Sequence, residues 1–428
     1  MRLPDYRRFA GGWIFASLGL QMQGMALGWE IYERTQSAFQ LGLVGLLRAL
    51  PVIALALPAG HLVDTLNRQK MLVATQVAFA AVSLGLAAAS LIQAPLLWMY
   101  LLIVLSGCAR VFNGPSRSSL LPQIVPSELN DGATFHNAVT WNAGVFHISA
   151  TVGPLLGGAI IAVLFERAGT THHNPSAAWP IYLLSAVGCL VFAATASTMK
   201  PRPNRSAPRG LGFKSMLAGM THLWTEKTIL AAITLDLFAV LLGGATALLP
   251  VYAKDILHVG PLGLGALRAA TPVGALLMTL VLAHRPPFAR AGRALLGSVA
   301  GFGLCMIVFG LSGSFILSLA ALLAAGALDN ISVVIRHVLV QMRTPEELRG
   351  RVSAVNSVFI ESSNELGAFE SGAAARLFGS WLGSATAGAV ASVVSGGIGT
   401  VLVVIGIGWW LPEIRRLGRL REETKPGP

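Results

Sequence analysis

The sequence predicts an all-α membrane protein in which twelve transmembrane helices form two pseudo-symmetric six-helix bundles. Three observations predict it: the composition, a series of apolar segments and an internal repeat. The chain is 54% hydrophobic and only 12% charged, whereas a soluble domain carries about 25% charged residues. Its apolar segments are continuous rather than alternating, which excludes a transmembrane β-barrel.

Apolar segments long enough to cross about 30 Å of hydrocarbon recur along the whole chain. The first follows only eight residues and has no small-residue cleavage site behind it, so we expect a retained span rather than a signal peptide. The predicted spans are residues 9–32, 40–63, 70–92, 95–113, 132–165, 177–198, 228–253, 261–284, 293–312, 314–342, 350–378 and 382–411.

Two stretches of the chain, 107–139 and 326–358, share one polar skeleton at an offset of 219 residues. An offset of about half the chain indicates a duplicated half. In a membrane protein, two homologous halves predict a transporter with its substrate site at their interface. The paired positions include Gly107 with Gly326, Arg117 with Arg336, Gly153 with Gly372 and, in a second echo, Arg48 with Arg268.

Basic residues are distributed unequally over the predicted loops. Twenty-three lie on the side of both termini, Arg117 among them, and only Arg34, Arg167 and Lys254 lie on the other side. The positive-inside rule therefore predicts cytoplasmic termini. The same imbalance accounts for the net charge of +12 without a nucleic-acid partner.

The longest cytoplasmic connection lies at the centre of the chain and separates the two halves. It begins with KPRPNRSAPRG, which cannot pack as a core helix, and continues as an amphipathic segment that we expect on the membrane surface. The predicted organisation is an N-terminal bundle at 1–198, a linker at 199–227, a C-terminal bundle at 228–411 and a basic cytoplasmic tail at 412–428.

The chain contains none of the common motifs of enzymes or ATP-driven pumps. It has no GxxxxGK phosphate loop, no HExxH, no CxxC pair and no Gly-rich dinucleotide fingerprint. We therefore expect a protein that is not an enzyme and that holds neither a cofactor nor a metal.

The loop between the second and third predicted spans reads GHLVDTLNRQK. It matches the signature G-x-L-x-D-x-x-x-R-x-K/R, with Asn67 where a glycine is usual. On these residues the chain resembles the major facilitator superfamily. The resemblance implies the major facilitator fold and a conformational switch in this loop, formed by Gly60, Asp64, Arg68 and Lys70.

The fifth predicted span contains GPLLGG, which resembles the end of the antiporter motif of proton-coupled exporters in that superfamily. Small residues let helices pack closely, so ordinary close packing is the alternative explanation. The residues concerned are Gly153, Pro154, Gly157 and Gly158.

Three longer stretches, GWEIYERTQSAFQLGLVGLLRALP, TPEELRGRVSAVN and SSNELGAFESG, resemble the enterobactin-exporter-like branch of the superfamily. This resemblance implies a monomer in the bacterial inner membrane that exports a small amphiphilic molecule, a siderophore or a drug, in exchange for protons. Membrane lipid is the other expected partner. An importer or a lysophospholipid flippase on the same fold, and a non-transporting receptor, remain alternatives.

Ionisable side chains at membrane depth are costly and mark transport pathways. Glu361 and Glu365 are four residues apart and share a helix face. Two carboxylates so close in a low dielectric cannot easily both ionise, which suits a proton carrier. The alternative is a structural pairing with Arg336 or Arg376. Two further proton-coupling candidates are Asp329 and Asp236.

We expect a central cavity lined by spans 1, 4, 5, 7, 10 and 11. Its candidate substrate contacts are mainly amides, although glutamines also join helices to one another. Glu30, towards the outer end of the first span, is expected to be an interface residue. The repeat aligns Arg110 with Asp329, which could form a state-dependent ion pair. The cavity candidates are Gln21, Gln23, Arg110, Asn113, Asn137, Asn142, Asn330 and Asn364.

Overall fold

The computed structural model describes residues 3–125, 133–167, 175–202, 220–221, 223–286, 288–345 and 348–418. Twelve long helices run through this part of the chain, which contains no strand, so the predicted all-α fold is confirmed. They are α1 (Pro4–Thr35), α2 (Ala38–Thr65), α3 (Arg68–Leu91), α4 (Leu96–Ile124), α5 (Ala133–Arg167), α6 (Trp179–Ser197), α7 (Lys227–Leu242), α8 (Gly260–Ala283), α9 (Ala291–Leu311), α10 (Phe315–Arg343), α11 (Arg349–Leu382) and α12 (Ala385–Trp410).

Ten segments of the described chain are long and apolar enough to cross a membrane by themselves. Two long helices, α1 and α11, are not among them because they are more polar than the rest. Gln21 and Gln23 lie in the middle of α1, and Glu361 and Glu365 lie in the middle of α11. The two helices that carry much of the predicted chemistry are therefore those that least resemble ordinary membrane spans.

The internal repeat is visible in the helix bounds and in the packing. Helices α4 and α10 begin and end at positions that differ by the same 219 residues. A methyl group added at Gly107 would lie 2.9 Å from the Pro51 ring of α2, and one added at Gly326 would lie 2.0 Å from the Thr271 carbonyl oxygen of α8. Each repeated glycine thus permits close contact between corresponding helices of its own half.

Helix α4 is longer than predicted and ends at Ile124 rather than near residue 113. It continues through Pro115 and Pro122, because neighbouring helices in a membrane protein can satisfy the backbone groups that a proline frees. This extension corrects the predicted position of Arg117, which lies within α4 and not in a cytoplasmic loop.

The seventh predicted span, 228–253, is interrupted. After α7 ends at Leu242, the chain passes through a 3-10 turn (Ala245–Leu248), a short α-helical turn and a π-helical turn (Tyr252–Ile256). At the break, the Ala245 amide donates to the Gly243 carbonyl oxygen at 2.7 Å. A methyl group at Gly244 would lie 2.6 Å from the Gly367 carbonyl oxygen, so the Gly-Gly pair lets this span bend directly against α11.

The chain divides into two compact units. In unit 1, α1 packs on α5 and α6, and α3 packs on α4 and α6; in unit 2, α9 packs on α10 and α12, and α7 packs on α11 and α12. The predicted linker and tail lie largely outside the described residues, and the four predicted boundaries stay a prediction. Unit 1 comprises Met1–Gln36, Leu47–Leu211 and Gly260–Ala269; unit 2 comprises Ser37–Leu46, Gly212–Val259 and Ala270–Pro428.

Candidate functional site

The carboxylates in the middle of α11 lie at or near the surface of unit 2. Glu361 and Asn364 are exposed and Glu365 is half-buried. The Asn364 amide donates to the Ile360 carbonyl oxygen of its own helix at 2.8 Å. Because an exposed carboxylate near the middle of a span is too costly to place in lipid, this face of α11 is suited to a water-filled path.

Asp236 of α7 and Arg336 of α10 form a buried ion pair in unit 2. Their exposed fractions are only 5% and 3%. Removing one charge would leave the other buried and unpaired, which is strongly destabilising. The sequence identified both residues but suggested Arg336 as a partner of the α11 polar cluster rather than of Asp236.

Two predicted residues of α10, Asp329 and Asn330, are half-buried. The Asn330 amide donates to the Thr279 hydroxyl of α8 at 3.1 Å. Arg110 lies in unit 1 and Asp329 in unit 2, and their state-dependent pairing stays a prediction.

Two of the predicted cavity residues join helices within unit 1. The Ser83 hydroxyl of α3 donates to the buried Gln23 side chain at 2.7 Å. The buried Asn113 side chain of α4 accepts a hydrogen bond from the Gln76 amide of α3 at 2.9 Å. The positions of these two side chains favour an interhelical role. Gln21 is half-buried, while Arg110 and Asn137 are exposed.

Arg117 occupies the position in unit 1 that Arg336 occupies in unit 2. Its guanidinium lies 4.1 Å from the centre of the Trp13 ring of α1, a cation–π contact. It also donates to the Asn142 side chain of α5 at 3.0 Å. Each half therefore has an arginine that joins its fourth helix to its first. Arg117 does so through the Trp13 ring and Arg336 through the Asp236 carboxylate.

Glu30 lies where three helices of unit 1 meet. It contacts the Arg34 guanidinium within α1 and accepts a hydrogen bond from the Tyr182 hydroxyl of α6 at 2.8 Å. Arg34 also donates to the Ala94 carbonyl oxygen, just beyond the end of α3, at 3.0 Å. This cluster ties together the ends of three helices in unit 1.

The side chain of Asp64 lies outside the described residues, although the backbone of Gly60 and Asp64 belongs to α2. The rest of the signature loop is firmly anchored. The Asn67 side chain accepts a hydrogen bond from the Lys70 amide at 3.1 Å and so caps α3. Arg68 donates to the Ser119 carbonyl oxygen of α4 at 3.4 Å. The departure from the usual glycine at position 67 therefore supplies a helix cap.

Gln69 is a residue of this loop that the sequence did not single out. Its amide donates to the Met199 carbonyl oxygen at 2.7 Å and to the Ala196 carbonyl oxygen at 2.8 Å. It therefore joins the start of α3 to the end of α6. A lone glutamine at a helix start carries no sequence signal for such a contact.

The glycines of the GPLLGG motif in α5 form two close contacts within unit 1. A methyl group at Gly153 would lie 2.7 Å from the Gln21 Cβ of α1, and one at Gly158 would lie 2.4 Å from the Pro261 carbonyl oxygen of α8. Conversely, a methyl group at Gly265 would lie 2.5 Å from the Pro154 carbonyl oxygen. The motif is thus a close-packing surface on two sides of α5.

Arg268 of α8 reaches the same region of unit 1. Its guanidinium donates to the Gly24 carbonyl oxygen, near the middle of α1, at 2.7 Å. Together with the Gly158 and Gly265 contacts, this bond attaches the first part of α8 to α1 and α5. Arg268 is the residue that the repeat pairs with Arg48; we expect a structural or gating role for the two arginines, and that role stays a prediction.

A sequence profile of the Major Facilitator Superfamily matches residues 9–368. The enterobactin exporter EntS of Citrobacter koseri is 26% identical over 414 residues, which cover 96% of this chain and 93% of that protein. EntS of Escherichia coli is 25% identical over the same shares of the two chains.

Two solved structures share the fold. A bacterial homologue of the human lysosomal transporter Spinster has a TM-score of 0.74 at 15% identity, over 97% of this chain and 99% of its own. The nucleoside transporter NupG has a TM-score of 0.69 at 12% identity, over 96% and 99%. With its twelve helices and the profile match over most of its length, the chain belongs to the Major Facilitator Superfamily.

Proposed function

We propose that this transporter exports a small amphiphilic molecule, a siderophore or a drug-like compound, in exchange for protons. The direction rests on the relatives, which are named as exporters and align with 96% of this chain. The proton coupling rests on one observation above all, the exposed carboxylate of Glu361 near the middle of α11. We place the chain in the bacterial inner membrane as a monomer with both termini in the cytoplasm.

Among the acidic residues within the spans, Glu361 and Glu365 are best suited to carry the proton. They lie one helical turn apart on a face that includes exposed Asn364. Asp236 is less suited because its neutralisation would leave Arg336 buried without a charged partner. Asp329 is the remaining candidate. In this scheme the α11 pair takes a proton from outside and releases it in the cytoplasm as the transporter changes state.

Transport measurements test the function directly. Cells with and without the protein are loaded with enterobactin, the substrate named for the relatives, or with a lipophilic cationic dye. We expect less accumulation when the protein is present, and no difference after a proton uncoupler is added. Greater accumulation in cells with the protein would indicate an importer. If cells with and without the protein accumulate each probe equally in all conditions, export of these compounds is contradicted. Movement of a fluorescent lysophospholipid across vesicle membranes would indicate the flippase alternative.

Asp64→Asn should impair transport much more than expression. In our proposal this loop aspartate stabilises one end state, so its loss changes the populations of the two states. A change of a few kcal/mol suffices to leave one state almost unpopulated, and we expect transport to fall at least about tenfold. Asp5→Asn is the control, because Asp5 lies at the start of α1 and contacts the exposed Arg8 at 3.1 Å and the Lys200 amide at 3.3 Å. Normal transport by well-expressed Asp64→Asn would contradict a gating role.

A further inference from the structure

A short helical turn, Pro412–Arg416, follows α12 and packs on the start of α9 within unit 2. The Gly292 amide of α9 donates to the Leu417 carbonyl oxygen at 3.3 Å. Ile414 and Leu417 are buried, and a methyl group at Gly292 would overlap the Ile414 carbonyl oxygen. Two segments that are far apart in the sequence are therefore held side by side, and we call this contact the terminal junction.

Four exposed arginines surround the terminal junction. Arg290 and Arg293 lie at the start of α9, and Arg415 and Arg416 lie in the turn. Within the part of the chain that the structure describes, no carboxylate forms an ion pair with any of the four. Glu413 of the same turn is exposed and is outnumbered. The junction thus carries an excess of positive charge that the described residues do not neutralise.

Two of the arginines lie at the less favourable end of a helix. The N-terminus of a helix carries a partial positive charge and is stabilised by acidic side chains, yet the first turn of α9 contains none. Arg290 is instead the residue that precedes the helix, and its side chain forms no capping hydrogen bond. Because Arg293 follows within one turn, positive charges accumulate here, and a bound anion would relieve their repulsion.

The terminal junction lies at the level of the lipid headgroups. The 26 residues of α12 rise about 39 Å, which exceeds the roughly 30 Å of hydrocarbon in a bilayer. Leu402 and Ile405 of α12 are 60% and 62% exposed and so face acyl chains. Trp409 and Trp410 at its end are each 80% exposed, and exposed tryptophans concentrate at the membrane–water interface. The turn that follows is therefore beside the lipid phosphates.

We propose that the terminal junction binds diphosphatidylglycerol, a lipid whose headgroup carries two phosphates joined by one glycerol. Arg290 and Arg293 hold one phosphate and Arg415 and Arg416 hold the other, by charge-assisted hydrogen bonds. Phosphatidylglycerol has one phosphate and engages one pair, and phosphatidylcholine is neutral because its cation lies beside its phosphate. The bound lipid fastens the turn to α9. This site is on the lipid-facing surface and does not depend on the transported substrate.

Native mass spectrometry of the purified full-length protein tests the site. The delipidated protein is titrated with the three lipids, all with identical acyl chains. Each arginine near a phosphate contributes about fivefold in affinity. We therefore expect phosphatidylglycerol to bind about twentyfold more weakly than diphosphatidylglycerol, and phosphatidylcholine more weakly still. The double variants Arg290→Gln with Arg293→Gln and Arg415→Gln with Arg416→Gln should each bind diphosphatidylglycerol about twentyfold more weakly, and no more tightly than phosphatidylglycerol.

Lys200→Gln with Arg202→Gln is the matched control, because these two exposed basic residues follow α6 in unit 1 and their removal lowers the net charge equally. It should bind diphosphatidylglycerol like the unchanged protein. Melting temperatures establish that each variant is folded, and the single variants, with about fivefold effects, replace a double variant that is not. Equal affinities for the two anionic lipids, an equal loss in the control, full binding by both arginine variants, or displacement of the lipid by excess inorganic phosphate would each overturn the proposal.

Discussion

Replacing Asp236 with alanine should destabilise the protein by about 3–5 kcal/mol, the usual cost of breaking a buried ion pair from one side. The substitution leaves the Arg336 guanidinium, only 3% exposed, without its carboxylate in the interior of unit 2. Thermal unfolding in detergent should show a clear fall in melting temperature, and the yield of folded protein should fall with it.

Two comparisons isolate this effect. Asp5→Ala removes a partly exposed pair with Arg8 and one hydrogen bond from the Lys200 amide, and should cost only about 1–2 kcal/mol. The double variant Asp236→Leu with Arg336→Met replaces both charges by apolar groups and should recover most of the lost stability. If Asp236→Ala melts at the same temperature as Asp5→Ala, the pair does not stabilise the fold.

Replacing the proton-carrying glutamate of α11, Glu361 or Glu365, with glutamine should abolish uphill export of the substrate and leave its downhill movement intact. A glutamine at Glu361 or Glu365 keeps the size and polarity of the side chain but cannot take up and release a proton. Proteoliposomes with an imposed pH gradient separate the two activities. Substrate accumulation driven by the pH gradient should fall to the level of protein-free vesicles. Movement of substrate down its own gradient, measured at the same pH on both sides of the membrane, should continue.

Glu370→Gln is the control on the same helix. Glu370 is half-buried and lies 3.4 Å from the Ser371 hydroxyl, beyond the Gly367 contact with the seventh span. It should keep gradient-driven export. If Glu361→Gln, Glu365→Gln and their double variant all still accumulate substrate in an uncoupler-sensitive way, the proton site lies elsewhere, and Asp329 is the next residue to change.

Much of the fold follows from hydrophobicity and repetition alone. Each of the twelve predicted spans falls on one of the observed helices, although the seventh is broken, and the 219-residue offset reappears in the bounds of α4 and α10. The break after Leu242 could not be predicted in the same way. A Gly-Gly pair inside an apolar run permits a bend, but the bend depends on the approach of Gly367 and Gly396 from two other helices.

The polar residues were harder to interpret than the spans. A helix that is apolar on nearly all sides gives little indication of which face meets another helix and which meets a cavity. Gln23 and Asn113 were therefore predicted as cavity residues. Their side chains bond to Ser83 and Gln76 of α3, and a contact with the substrate stays a prediction. The carboxylates of α11 stand out in the sequence because charged side chains within a span are rare. Their role as proton carriers stays a prediction.

The Asp236–Arg336 pair also has a consequence for the synthesis of the protein. One hundred residues separate the two charges along the chain. At about 5–20 residues per second, Asp236 emerges from the ribosome roughly 5–20 s before Arg336 exists. During that interval α7 has no arginine with which to share its charge and must either wait beside the insertion machinery or enter the bilayer with a protonated carboxyl group. The charged form of Asp236 therefore has its partner within the membrane only once α10 has been made.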